Sequence, residues 1–234
     1  MAEDYDSARP PYPAALFDVL KEAGVIGPEL AVLEVGAGSG QATRELVSAG
    51  SHVVALEPGL DLAALLEQEV PEASVIRNRL EDSHLPDAAF DSVVAATSMH
   101  WIDLSIGLPK LYAAMRPGGL LAVFRNVFGD VSTRSAFREH VEQIVSRRRG
   151  EPSDGSAEPG PTVSELEAGG LFVPVRSERW KWDIELTTQQ VTDLFRTFSN
   201  WAVEEVDEVA AAADACGGRV VEHYQSVLHV LRRS

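Results

Sequence analysis

Cysteine is all but missing from this chain of 234 residues: Cys216 stands alone, so no internal disulfide can form. It lies in AADACGGR without partner ligands at metal spacing, and a free thiol in a disulfide-free chain suits a reducing compartment, so a cytoplasmic protein is expected. Positive charge is also scarce. Twenty Lys and Arg stand against 36 Asp and Glu, a formal net charge of -16. A field of that sign repels phosphate backbones and anionic lipid heads, so neither nucleic acid nor a membrane surface is an expected partner. No apolar run reaches the ~18 residues of a membrane span. The N-terminus, MAEDYDSARPPYP, has no apolar h-region and does not read as a signal peptide. His52, His84 and the other histidines show no metal spacing, so no metal site is expected. Arg147-Arg148-Arg149 closes a helix, where cations suit the dipole, and in so acidic a chain is weak support for a nucleic-acid site.

What is present is enough apolar residue, 45%, for one α/β domain. LAVLEV, HVVALEP, ASVIRN, FDSVVAAT and LLAVFRNV read as buried strands. Between them SGQATRELVSAG, LDLAALLEQEV and LSIGLPKLYAAM, the last carrying Pro109, read as helices, so βαβ units and a parallel sheet covered on both faces are predicted. After them SAFREHVEQIVSRRR reads as a helix and GEPSDGSAEPGPT, Gly150 to Thr162, as a mobile loop. VRSERWKWDIEL then reads as a strand, TTQQVTDLFRTFSNW (capped by Thr187 or Thr188) and VEEVDEVAAAADA as helices, and RVVEHYQSVLHVLRR as a late strand antiparallel to its neighbours. The division expected is one domain: residues 1–29 an N-terminal flap and helix, 30–130 a ligand-binding core, 131–218 a cap, and 219–234 the final strand.

VLEVGAGSGQAT, Val32 to Thr43, carries the chemistry. Its glycines follow the first strand directly, which lets the backbone turn sharply and approach a ligand, with helix N–H groups aimed at the same place. Two details narrow the ligand. Glu34 puts a carboxylate two residues before Gly36, where it would repel a pyrophosphate, and position 41 is Gln where a G-x-G-x-x-G fingerprint needs glycine. Both argue against a nicotinamide-type reductase and suit a ligand with positive charge and no phosphate. S-adenosylmethionine, with an ammonium and a sulfonium, is such a ligand. Glu57, at the tip of the second strand, stands where a ribose-binding acid belongs, about 20 residues past a glycine loop.

VLEVGAGSGQAT, ALEPG, LEDSHLPDAAFDSVVAATSMHW and MRPGGLLAV, taken in order, resemble the motifs of class I S-adenosylmethionine-dependent methyltransferases, and more narrowly the small type that modifies small molecules. The resemblance implies a Rossmann-like, doubly wound, mostly parallel seven-stranded sheet with a late antiparallel strand and a helical cap region. It implies that Glu34 with the loop Gly36-Ala37-Gly38 holds the methionine end, that Gly40 lets the first helix pack closely, and that Glu57 takes the ribose beside Pro58. Leu80 is expected against adenine and Glu81, with Asp82 as rival, near its amino group. Thr97 and Met99 of TSMHW are expected to face the cofactor; His100 is a weak candidate base, and a structural role suits it better. Tyr5 and Arg9, in YDSARPPYP with Tyr12, resemble a flap that closes over the methionine carboxylate or the substrate.

The expected reaction is methyl transfer to a small-molecule acceptor, releasing S-adenosylhomocysteine, with no obligatory catalytic residue. Phe128, Phe137, Phe172, Trp180, Trp182, Phe195, Phe198 and Trp201 make the second half aromatic, and Leu194, Phe198 and Trp201 share helical spacing, which suggests an apolar or aromatic acceptor; core packing explains the same residues. The other reading is a protein that binds S-adenosylmethionine without transferring its methyl group. The D/N-P-P-Y signature of amino-methylating enzymes is absent after the fourth strand. A monomer or a homodimer fits equally.

Overall fold

The computed structural model describes residues 8–129, 133–148, 160–198 and 200–234. Tyr5, Arg149 and residues 150–159 of the predicted mobile loop lie outside the described residues. Seven strands form one sheet in the order β3-β2-β1-β4-β5-β7-β6. They are β1 (Ala31–Val35), β2 (His52–Leu56), β3 (Ser74–Ile76), β4 (Phe90–Ala96), β5 (Met115–Val127), β6 (Phe172–Thr187) and β7 (Arg219–Arg233). β1 to β5 pair in parallel, and β7 runs antiparallel between β5 and β6. The predicted sheet is therefore observed, with two differences at strand ends. β5 begins at Met115, before Arg116-Pro117-Gly118-Gly119, because Met115 pairs with Phe90 before a bulge shifts the register to Leu120. β6 begins at Phe172, three residues before the predicted strand, because β7 is long enough to pair with it as far as Arg233.

Helices cover both faces, as strands buried on two sides require. Helices α1 (Ala14–Glu22), α2 (Gln41–Ser48) and α3 (Leu60–Glu69) bury Leu16, Leu20, Leu46 and Leu66 with Val32, Val53 and Phe124 of the sheet. On the other face α4 (Leu104–Ala114) buries Leu108 and Leu111 with Leu33, Val35 and Val93, and α6 (Val163–Glu167) adds Leu166. Strand alternation decides which residue goes where. Leu33 and Val35 face α4, so Glu34 shares the face of Val32, beneath α2. Pro109 is accommodated inside α4.

A third apolar cluster forms the cap. Helices α5 (Ala136–Ser146), α7 (Thr188–Arg196) and α8 (Val203–Ala215) bury Phe137, Val141, Leu194, Phe195 and Val209 against Leu186, Val220 and Tyr224 of β6 and β7. α7 opens with a capping box between Thr187 and Gln190, which selects Thr187 of the two candidates. Arg148 reaches Glu205 at 2.9 Å and lies over Trp201, so this part of the arginine run ties α5 to the start of α8.

One buried ion pair joins the cap to the sheet. Arg138 of α5 donates to Glu222 Oε2 of β7 from Nε at 3.0 Å and from Nη2 at 2.8 Å, and its guanidinium lies 3.8 Å from the Phe128 ring centre. Their side chains are 12% and 1% exposed. Burial raises the Glu222 carboxyl, and Arg138 acts against it. Arg138→Met leaves that carboxylate alone in a dry site and should cost about 3–5 kcal/mol in urea unfolding, whereas the double change with Glu222→Leu should cost less.

Candidate active site

The strand order reverses between β1 and β4, and beyond the carboxyl ends of these strands lies a cavity of about 610 Å3. Open α/β sheets bind ligands at such a reversal. Each glycine of the first loop does something different there. Gly36, at φ 68°, brings the exits of β1 and β4 together, since an added Cβ would sit 2.5 Å from Ser98 Cβ. Gly38, at φ 60°, meets nothing within 4 Å of that position and donates its N–H to Glu57 Oε2 at 2.7 Å. Gly40 does not line the cavity: an added Cβ would lie 2.5 Å from Leu66 Cδ1, so its part is close packing of α2 on α3.

Three carboxylates border the loop side. Glu34 is fully buried; Thr43 of α2 donates to its Oε2 at 2.6 Å, while Oε1 has no hydrogen-bond partner among the described residues. Burial pushes its pKa up to about 8, with Thr43 opposing and Glu57 adding to the rise. Glu57, 6% exposed, accepts from the Gly38 N–H at 2.7 Å through Oε2 and from the Gly59 N–H at 2.7 Å through Oε1. It therefore fixes the shape of the loop as well as facing the cavity. Glu81 accepts from the Asp103 N–H at 3.1 Å and lies 3.5 Å from Arg79. Burial raises its carboxyl, but those partners and its own N–H more than offset this and hold it below the usual range. Lys110 of α4 steadies the same turn by donating to the carbonyls of Leu80, Glu81 and Ser83.

Arg9, Pro10 and Tyr12 also line the cavity. Three contacts dock this N-terminal segment. Gln41 Nε2 donates to the Arg9 carbonyl at 3.1 Å, Asn126 Nδ2 to the Pro10 carbonyl at 3.2 Å, and the hydroxyls of Tyr12 and Thr97 are 2.6 Å apart. Thr97 holds a positive φ of 54° at the end of β4, a backbone strain of the kind found at functional sites. The Arg9 guanidinium is turned to the cap: Nε donates to Thr197 Oγ1 at 3.1 Å and the group sits 5.1 Å from the Phe198 ring centre. The cap supplies Phe128, Leu194, Phe198 and Tyr224 to the lining.

Of the residues singled out from the sequence, Arg9, Glu34, Gly36, Ala37, Gly38, Glu57, Pro58, Leu80, Glu81 and Thr97 all line this one cavity. Met99 does not. Its residue is 2% exposed and packs with Leu80, Val35 and Leu108, because the short 3-10 turn Met99–Trp101 directs it into the core. His100 does not line the cavity either, whereas Trp101 does while remaining 65% exposed. α7 ends at Arg196, so Trp201 lies beyond it and packs on Phe195 instead of roofing the chamber. Trp182 stacks on Tyr224 at 4.8 Å and, like Trp180, stays out of the lining. Ser98, Asn126 and Tyr224 were not singled out as site residues. Asn126 was legible as a polar residue at the carboxyl end of the fifth strand; Tyr224 gave no local signal.

The raised carboxyl sets a pH dependence of stability. Glu34 is pushed up from 4.5 to about 8 on folding, so its contribution is fully present below about pH 4.5 and is lost as pH rises to about 8. Glu34→Gln should therefore flatten the fall in melting temperature of the ligand-free protein between these limits; an unchanged profile would contradict the assigned burial cost.

Known proteins resemble this one in sequence and in fold. A family model described as a methyltransferase domain matches residues 33–123. An uncharacterized methyltransferase of Mycobacterium tuberculosis (strain ATCC 25618 / H37Rv) is 28% identical over 190 residues, spanning 81% of this chain and 71% of the relative. An uncharacterized methyltransferase of Schizosaccharomyces pombe is 27% identical over 217 residues, 90% of this chain and 83% of the relative. Among solved structures, a proposed type II methyltransferase from Anaeromyxobacter dehalogenans superposes with a TM-score of 0.65 at 21% identity, over 96% of this chain and 97% of that one, a likeness of fold.

Proposed function

We propose that the chain, whose residues 33–123 match the methyltransferase domain model, is a class I methyltransferase that uses S-adenosylmethionine to methylate a small molecule with an apolar or aromatic body. The observation that carries the cofactor assignment is Glu34 Oε1, a buried carboxylate oxygen beside the glycine loop with no partner among the described residues. An ammonium group is what such an atom lacks. Gly38 lines the same cavity with open space where a side chain would stand, and no side chain caps the first turn of α2, whose N–H groups suit the cofactor's carboxylate.

In this reading Glu34 binds the ammonium and the loop Gly36-Ala37-Gly38 follows the methionine end. Glu57 binds the ribose with the lone pairs that Gly38 and Gly59 leave, since an ionised carboxylate accepts about four hydrogen bonds. Pro58 and Leu80 flank the adenine, with Glu81 at its amino group and Thr97 near the sulfur. S-adenosylmethionine supplies, when bound, a methyl group already activated by a positive sulfur. The protein's part is to hold the acceptor in line with that methyl and to exclude water, for which the docked segment from Arg9 to Tyr12 is suited. Phe128, Leu194 and Phe198 supply the apolar surface for the acceptor's body.

Calorimetry with S-adenosylhomocysteine tests this reading. Cation binding favours ionised Glu34, so affinity should rise between about pH 6 and 7.5 with proton release, and Glu34→Gln should abolish both. Glu57→Ala should weaken binding by about 1–3 kcal/mol. Absence of binding to the folded protein would overturn the reading. Binding without turnover of any acceptor would favour the protein that only binds the cofactor.

A further inference from the structure

We propose that the acceptor is a carboxylic acid with an apolar body, methylated to its methyl ester, and that Arg9 and Tyr224 bind its carboxylate. This rests on the methyl-transfer reading above and adds the acceptor's chemical class.

The cavity is polarised. The carboxylates Glu34, Glu57 and Glu81 gather on the side of the glycine loop and the β3 exit, where Arg79 also lines the cavity, 3.5 Å from Glu81. The cap side carries a cation, Arg9, whose guanidinium bonds Thr197 and lies over the Phe198 ring at the α7 end. Phe198 lies 5.7 Å from Phe128, and Phe128 lies 5.4 Å from Tyr224, so one aromatic cluster connects Arg9 to Tyr224. Tyr224 is 3% exposed, and its hydroxyl has no hydrogen-bond partner among the described residues. Burial holds the phenol far above its usual range, so it keeps its proton and serves as a donor. A guanidinium and a neutral phenol in an apolar wall suit the two oxygens of a carboxylate.

The described part of the lining also lacks what other acceptors need. Among the described residues that line it there is no histidine, lysine, cysteine or aspartate. Its three glutamates lie on the cofactor side. An alcohol, a phenol or a carbon acid must lose a proton to become a good nucleophile at neutral pH, and a base is needed to take it. An aliphatic amine arrives as a cation, which Arg9 repels. A carboxylic acid is already ionised at neutral pH. One carboxylate oxygen forms a bond to the methyl carbon as the carbon–sulfur bond breaks and its electron pair passes to sulfur. A neutral ester and a neutral thioether result, and no proton moves.

The test uses the full chain loaded with S-adenosylhomocysteine. Matched series of 3-phenylpropanoate and the straight-chain carboxylates of six to ten carbons, the corresponding primary alcohols and the corresponding primary amines are titrated by calorimetry. Carboxylates should bind at least about ten-fold more tightly than alcohols or amines of equal length, the gain expected of one charged hydrogen-bonded pair. Arg9→Gln should erase that preference while leaving S-adenosylhomocysteine affinity within about two-fold. Tyr224→Phe should weaken carboxylate binding without lowering the urea midpoint, because it removes a hydroxyl that no partner satisfies. With S-adenosylmethionine, mass spectrometry should find methyl esters. Equal binding of the three series, or no binding of any carboxylate, overturns the proposal. So does an Arg9→Gln variant that loses S-adenosylhomocysteine and carboxylate equally, for Arg9 would then serve the cofactor. If S-adenosylhomocysteine itself does not bind the wild-type chain, the methyl-transfer reading fails first.

Discussion

Burying Glu34 beneath α2 raises the energy of its charged form, and the surroundings relieve that cost on one side only. Thr43 donates to one oxygen, while the other is sealed from water with no partner among the described residues. The nearby Glu57 adds repulsion, and the carboxyl is pushed up to about 8. A cation at the end of β1 removes both penalties together. The same cation is refused by a site built for pyrophosphate, so this single side chain separates two ligand classes that share a glycine loop and a strand-order reversal.

The shape of that loop depends on Glu57. Its two oxygens take the N–H groups of Gly38 and Gly59 and so hold the tips of β1 and β2 in register. Gly36 closes the seam with Ser98 on the other side, and Gly40 lets α2 settle onto α3. The proposed cofactor half of the cavity is thus made of backbone turns pinned by carboxylates, on the most regular part of the sheet. The proposed acceptor half is assembled differently. It comes from an N-terminal segment, the ends of β5 and α7, and the middle of β7, joined by aromatic contacts and by the Arg138–Glu222 pair.

That difference explains which parts of the fold and site are legible in the sequence. Local rules identified β1 to β5, the glycine loop and both early acids, because each depends on alternation, turn chemistry or spacing along one stretch of chain. They also foresaw an aromatic cap. They did not foresee Met99 turning inward, since one 3-10 turn decides its direction. Nor did they reach Tyr224, which comes to the cavity only because β7 inserts antiparallel between β5 and β6, with Ser226 opposite Asn126 and Tyr224 opposite Trp182. That pairing joins positions about a hundred residues apart in sequence, beyond any local pattern.

The central claim is that Glu34 is an unsatisfied buried acid awaiting a cationic ligand, and its own titration tests this most directly. Carbon-13 NMR of protein labelled at glutamate carboxyls, assigned through Glu34→Gln, would follow the group with and without S-adenosylhomocysteine. A transition near pH 8 in the free protein, moving to lower pH when the ligand is added, is the predicted result. A carboxyl that titrates near 4.5 in the free protein, or one whose midpoint the ligand leaves in place, would contradict the account.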